Sequence, residues 1–349
     1  MKCARLERLG EPLVLRDVPD PVLRPGGVVA RMLTSRVLSY SKDRFAGKHG
    51  STLPLPFTPG AGGIAVVEQV ADDVEGIVPG ERVWLTSYLR SSDDLTWLLL
   101  GWAGTSASLQ RAWPDGAFAE RVAWPARCVT PLRGLEAHGP LAVTALASMV
   151  VPYGGLLAAG VAPGHVVAVN GANGCFGAAG VVVAKALGAS RVLAVGRDGE
   201  ALARLARAVG DGVVPVVLRG DEAADVDALR EASSGGPHAA LDFMGQTRDP
   251  SATRSCLRSL RHGSTLVLMG GVQADVPVPY GEAMLRDLTV RGCFMHPASA
   301  PGNLVRMAAS GRLPLGVFAS TPFELARVNE AIEHACQDKG LKATLLTME

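Results

Sequence analysis

The sequence predicts an α/β fold in which a doubly wound parallel sheet is joined to a smaller domain of irregular β structure. Three observations carry this. An apolar strand, a glycine-rich turn and a helix follow one another from 165 to 188. Strand and helix patterns alternate from about 140 to 285, and short β-type runs broken by Pro and Gly fill the first 130 residues. The 48% hydrophobic content, rich in Gly, Ala and Val, suits parallel strands buried on both faces. A chain of 349 residues is long enough for two domains, each with its own core.

In chain order, the β-type runs at 27–33, 62–70, 82–86 and 117–123 read as a small barrel-like domain. Strands follow at 165–170, 191–196, 213–218, 239–244 and 264–271, with helices at 176–187, 199–209, 222–232 and 250–260 between them. Parallel neighbours need a long crossover, and a helix of this length supplies it. One more strand at 288–295, a helix near 303–311 and a helix then strand within 322–347 complete the chain. The expected division is 1–135, 136–285 and 286–349, the last segment completing the sheet and returning to the first domain.

The turn between the first strand and helix is the most informative stretch. It reads Gly171-Ala172-Asn173-Gly174-Cys175-Phe176-Gly177, an A-x-G-x-x-G pattern in strand–turn–helix context. Glycines let the backbone approach a pyrophosphate, and the helix N-terminus aims unpaired N–H groups at it. The end of the second strand selects the dinucleotide. An acid there would hold the ribose hydroxyls of NADH; here Gly196 leaves room and Arg197 offers a fork of donors, which favours NADPH. Asp198 opposes this reading, since it could neutralise Arg197 or serve the ribose itself.

A net charge of +1 argues against a nucleic-acid surface. The N-terminus has no apolar signal core and no uninterrupted apolar run reaches about 18 residues, so the expectation is a soluble, cytoplasmic protein without a membrane span. The six cysteines, Cys3, Cys128, Cys175, Cys256, Cys293 and Cys336, are scattered without metal-knuckle spacing and read as buried or incidental thiols. Cys175 is the exception to weigh, because a helix N-terminus can lower a thiol pKa; a small residue that fits near phosphate is the plainer reading.

Taken together, Pro59-Gly60-Ala61-Gly62-Gly63, Val78-Pro79-Gly80-Glu81-Arg82-Val83, Asp115-Gly116-Ala117-Phe118-Ala119-Glu120, the 171–177 turn, Leu241-Asp242-Phe243-Met244-Gly245 and Leu266-Val267-Leu268-Met269-Gly270-Gly271 resemble the medium-chain dehydrogenase/reductase superfamily over essentially the whole chain. The resemblance implies a GroES-like catalytic domain, a Rossmann nucleotide domain with Met244, Gly245, Met269, Gly270 and Gly271 beside the cofactor, a small-molecule substrate and a homodimer. Zinc members carry a Cys near 39–43 and a Pro-Gly-His-Glu sequence later. This chain has Ser39-Tyr40-Ser41-Lys42-Asp43, and Ala61 and Gly62 where His and Glu would be. A four-cysteine lobe is also missing, so no zinc is expected. The lobe that replaces it resembles a zinc-free, alcohol-dehydrogenase-like branch through Arg90, Asp93 and Asp94; the plainer reading is a salt-bridged loop.

Without a metal, a donor must stabilise and protonate the oxygen that gains charge on hydride transfer. Tyr40 leads, with Ser41 and Lys42 as alternatives, Asp43 fixing the loop and His296 entering from the segment after Cys293. The pocket walls are expected from 54–57, 89–113 and 295–301, with Phe57, Arg90 and Trp97 as lining residues. The leading expectation is an NADPH-dependent reductase of an enone, enoyl or quinone. The alternatives are a metal-free alcohol dehydrogenase or ketone reductase, and a nucleotide-binding protein without turnover. The Ala- and Arg-rich composition suggests a GC-rich bacterial genome and, with it, secondary metabolism.

Overall fold

The computed structural model describes residues 1–48, 53–92 and 94–348. Its central feature is a six-stranded, all-parallel sheet. Val166–Asn170 lies at the middle, flanked on one side by Arg191–Gly196 and Val213–Val217, and on the other by Ala239–Asp242, Thr265–Leu268 and Thr289–Gly292. The chain order is therefore 3-2-1-4-5-6, with the reversal between the first and fourth strands. In open α/β sheets ligands bind beyond the strand C-termini at such a switch point.

The crossover helices follow from sequence. Gly199–Val209 and Glu222–Ala232 start at Asp198 and Asp221, whose carboxylates cap the backbone N–H groups of Ala201 and Ala224. Helix Cys175–Ala186 is apolar nearly all round because it is buried between the sheet and helix Leu146–Ala158. The latter carries Pro152 and two glycines, and its period was not legible in the sequence. The stretch Pro140–Ala158 is long and apolar enough to cross a membrane by length and composition alone. Two-thirds of it (67%) is buried inside the protein, as a core helix would be.

The second sheet forms around the long strand Gly27–Val37. Gly63–Val70, Arg121–Pro125 and Lys342–Thr347 pair with it antiparallel, and Ala319–Glu324 extends the sheet alongside Lys342–Thr347. Thus the C-terminal tail returns to the sheet that the first domain begins. First-domain residues Ile64, Trp84, Leu132 and Leu135 share one core with Leu146, Met149 and Tyr153 of helix Leu146–Ala158, and that helix packs on the 295–296 segment: a Cβ at Gly154 would sit 2.8 Å from the His296 Cα. That contact closes one wall of the site.

Candidate active site

The cofactor side is shaped by backbone. Gly171 sits at φ +79°, a conformation L side chains rarely adopt, and a Cβ there would lie 2.7 Å from the Phe243 carbonyl. A Cβ at Gly177 would run into the Gly171 carbonyl, so only glycine allows helix and strand this close. Gly174 is the N-cap of the helix and offers no side-chain cap, which leaves first-turn N–H groups for an anion. A Cβ on Gly174 would meet nothing nearer than 3.4 Å. The protein has no internal need for glycine there, and a close-lying ligand would supply one.

These residues line a cleft of about 640 Å³. Gly171, Asn173, Gly174, Cys175, Phe176 and Gly177 form its floor; Gly196 and Arg197 one end; Met244, Gly245, Met269, Gly270 and Gly271 the facing loops. Ala172 is buried beneath the turn. The Oδ1 of Asn170, at the tip of the first strand, is buried and has no partner. Open N–H groups, a glycine floor and length across the switch point fit a dinucleotide.

At the second strand's end Gly196 lines the cleft, and a Cβ there would collide with the Asn173 carboxamide, so the glycine makes room for that side chain. That carboxamide clamps the loop, accepting from Arg197 N (3.1 Å) and Asp198 N (3.3 Å) and donating to the Asp198 carbonyl (3.1 Å). Asp198 neither neutralises Arg197 nor turns to the cleft, because its carboxylate caps the following helix. The partner of Arg197 is Asp249, 3.2 Å away, whose carboxylate is held below its usual range first by hydrogen bonds from Ser251.

A second, smaller cavity of about 90 Å³ adjoins this cleft, and Tyr40 and Phe176 line both. Its other walls include Trp84, Leu99, Trp102, Val150 and Met295. Tyr40 meets Trp102 edge-on at 5.6 Å. Tyr40 is about a third exposed (36%) and lines the cleft. Burial raises its pKa and outweighs the opposing charges of Arg36 and Arg44, so the phenol keeps its proton. His296 enters the same cavity; its Nδ1 lies 3.1 Å from the Pro297 carbonyl, and burial pushes its pKa down, keeping the ring neutral.

The sequence reading missed Arg36. It sits on Gly27–Val37 between Ser35 and Val37, is 5% exposed, and lines the small cavity. Its Nε and Nη1 have no hydrogen-bond partner, the Phe176 ring centre lies 5.5 Å from the guanidinium carbon, and the Cys175 thiol is a further neighbour. Nothing in a strand pattern marks which arginine turns inward; Arg31 on the same strand is exposed.

Other expected residues lie elsewhere. Ser41 is buried with an unpartnered hydroxyl and does not line either cavity. Lys42 pairs with Glu333 at 2.7 Å on the surface, and Asp43 accepts from Lys48 at 2.7 Å, which fits a loop-fixing role. Phe57 is packed in the first domain's core rather than in the pocket. Arg90 forms an exposed ion pair with Asp94, 3.1 Å, and Trp97 packs on Phe294 at 4.8 Å, both outside the cavity lining. Asp93 lies outside the described residues. The Cys175 thiol is pushed up, not down, because burial, aided by the Asp338 charge, outweighs Arg36.

Positions 61 and 62 offer no metal-ligating side chain. Ala61 and Gly62 line the small cavity; Gly62 stands at φ +92° with the Leu85 carbonyl where a Cβ would be, so no ligating side chain can replace it without moving backbone. Among the described residues no three His, Cys, Asp or Glu side chains converge.

Residues 27–134 match the family described as alcohol dehydrogenase GroES-like domain, and residues 175–310 the family described as zinc-binding dehydrogenase. An alcohol dehydrogenase of Moraxella sp. (strain TAE123) is 28% identical over 341 residues, 97% of each chain. An NAD-dependent alcohol dehydrogenase of Sulfurisphaera tokodaii is 24% identical over 96% of each. Among solved structures, the alcohol dehydrogenase of Thermus sp. ATN1 superposes over all of both chains with a TM-score of 0.83 at 21% identity, a likeness of fold.

Proposed function

Because the chain belongs to the medium-chain dehydrogenase/reductase superfamily, as an alcohol-dehydrogenase-like oxidoreductase, we propose that it reduces its acceptor with NADPH and without zinc. The acceptor is an activated C=C bond of an enone, enoyl or quinone. NADPH, when bound, supplies the hydride. The observation that carries the reading is a protonated Tyr40 standing between the cofactor cleft and a cavity whose 61 and 62 positions carry no metal ligand.

The chain's own residues then do the following. The 171–177 turn and the loops at 244–245 and 269–271 hold the dinucleotide along the sheet's switch point. Trp102 and Phe176 wall the acceptor off from water, which strengthens every polar contact inside. The Tyr40 hydroxyl donates to the acceptor's carbonyl oxygen as negative charge gathers there, and gives up its proton. A conjugated carbonyl spreads that charge, so one neutral donor suffices.

The relatives' names support a second reading, an alcohol dehydrogenase or ketone reductase at the same site. NADPH oxidation by the full chain, offered an enone and the matching saturated ketone, separates the two. We expect turnover with the enone and a loss of about a hundredfold in kcat in Tyr40→Phe. Turnover confined to the ketone favours the second reading; an undiminished Tyr40→Phe removes the proposed donor; cofactor binding with neither turnover leaves a binding protein. A homodimer is part of the reading as well. The edge strand Thr289–Gly292, beside the exposed Tyr280, Met284 and Leu285, is the surface it would use, and mass in solution tests it.

A further inference from the structure

Arg36 places a permanent positive charge inside the small cavity with no carboxylate beside it among the described residues. A buried cation is normally paired, because losing water costs far more than apolar packing returns. Here the surrounding groups do not compensate. The cavity's other lining residues are apolar, aromatic or hydroxylated, apart from His296, which burial keeps neutral. Arg44, buried over Trp102 at 5.8 Å, adds a second positive charge that acts on Tyr40, while the buried Asp338 carboxylate, which acts on Cys175 alongside Arg36, is taken by Thr344 N at 2.7 Å and does not line the cavity. The Phe176 ring face offers a weak attraction and no hydrogen-bond acceptor. A guanidinium in a lining that contains no acid gives the cavity a positive potential that selects an anion, and the unpartnered Nε and Nη1 of Arg36 specify one that accepts hydrogen bonds.

We propose that Arg36 seats a carboxylate of the substrate, so that the acceptor is an unsaturated or oxo acid of a short apolar chain. The guanidinium is suited to carboxylates by shape as well as by charge. The position fits too: Tyr40 and Phe176 belong to both the cofactor cleft and the Arg36 cavity, so a molecule anchored on Arg36 holds its reducible bond near Tyr40. The inference rests on the reductase reading for its chemistry and on the orphaned guanidinium alone for its charge.

The test compares 4-oxo-2-pentenoate with its methyl ester as acceptors for the NADPH-loaded full chain, in wild type, Arg36→Met and Arg36→Lys. The melting temperature is measured in parallel with the unreactive 4-oxopentanoate. In wild type the acid is expected to exceed the ester in kcat/KM by about tenfold, the worth of one charge-assisted hydrogen-bonded contact. The ratio falls to near one in Arg36→Met and partly recovers in Arg36→Lys. Without ligand, Arg36→Met melts no lower than wild type, since an apolar side chain replaces an unpaired charge; with 4-oxopentanoate only wild type and Arg36→Lys gain stability. Equal use of acid and ester by wild type, or an equal fall for both in Arg36→Met, overturns the carboxylate subsite while leaving the reductase reading standing. Stabilisation by 4-oxopentanoate that requires Arg36, without turnover of either acceptor, supports the subsite and removes the reductase reading.

Discussion

The cofactor cleft and the acceptor cavity share a wall, yet they are made in different ways. The cleft is backbone: Gly171, Gly174 and Gly177 lie within seven residues, and their value is the side chain they lack. The cavity is side chain: Arg36 and Tyr40 come from one end of the chain, Phe176 from the middle and His296 from far downstream, and no two segments would show the site alone. A site made of absent atoms tolerates almost no substitution but accepts a whole class of chemistry. A site made of converging side chains can change its substrate one residue at a time.

The sharpest way to break that contrast is inside the turn. Gly177→Val forces a side chain into the Gly171 carbonyl, in a packed interior that cannot yield, and is expected to cost about 3 kcal/mol of stability and abolish NADPH binding. Gly174→Ala meets nothing nearer than 3.4 Å and is expected to change stability by no more than about 0.5 kcal/mol. Its NADPH affinity should nevertheless fall, because the methyl would stand where the phosphates approach. Thermal melts and fluorescence titration read both. A Gly174→Ala protein with unchanged affinity would mean that the dinucleotide does not lie over this helix N-terminus.

The same contrast explains what the sequence disclosed. The 171–177 turn and its flanking strand and helix were legible because periodicity and glycine spacing are local, and the structure has the strand at Val166–Asn170 and the helix at Cys175–Ala186. Strand Ala319–Glu324 was not, since Pro322 and a mixed polar run hide an edge strand that tertiary pairing alone creates. Tyr40 could be singled out because its segment resembles a known loop. Lys42, two positions on, looked equivalent in sequence, but the short helix Ser41–Phe45 turns it away toward Glu333. Arg36 had no local signal at all: strand alternation says that some residues face inward, not that one of them is an uncompensated cation.

A smaller effect is expected where the two constructions meet, at the rim. Arg197 is 62% exposed and paired with Asp249, so a 2′-phosphate would compete with a carboxylate already held by Ser251. Arg197→Ala is expected to lower the ratio of NADPH to NADH affinity by about tenfold, and Asp249→Asn to raise it by releasing the guanidinium. Competitive titration of the two cofactors measures both ratios. If neither moves, Arg197 does not meet the phosphate, and the NAD-dependent relative becomes the better guide to the cofactor.

The smallest effect concerns pH and the cavity's neutral wall. Burial holds His296 below its ordinary pKa of 6.5, and His238, also lowered first by burial and then by Arg261 and His165, has the same sign. Well above pH 6.5 both rings are neutral folded or unfolded and pH has no purchase on them. As pH falls below it, the unfolded chain takes up protons that the folded rings refuse, so stability declines until the folded pKa values are passed. The melting temperature should therefore drop as pH is lowered from 7 through the region below 6.5, and His296→Gln should reduce the slope while His238 maintains the rest. A slope unaltered by His296→Gln would mean that the ring charges in place. A cavity already holding Arg36 would then carry a second cation, and its preference for an anion would grow as pH falls.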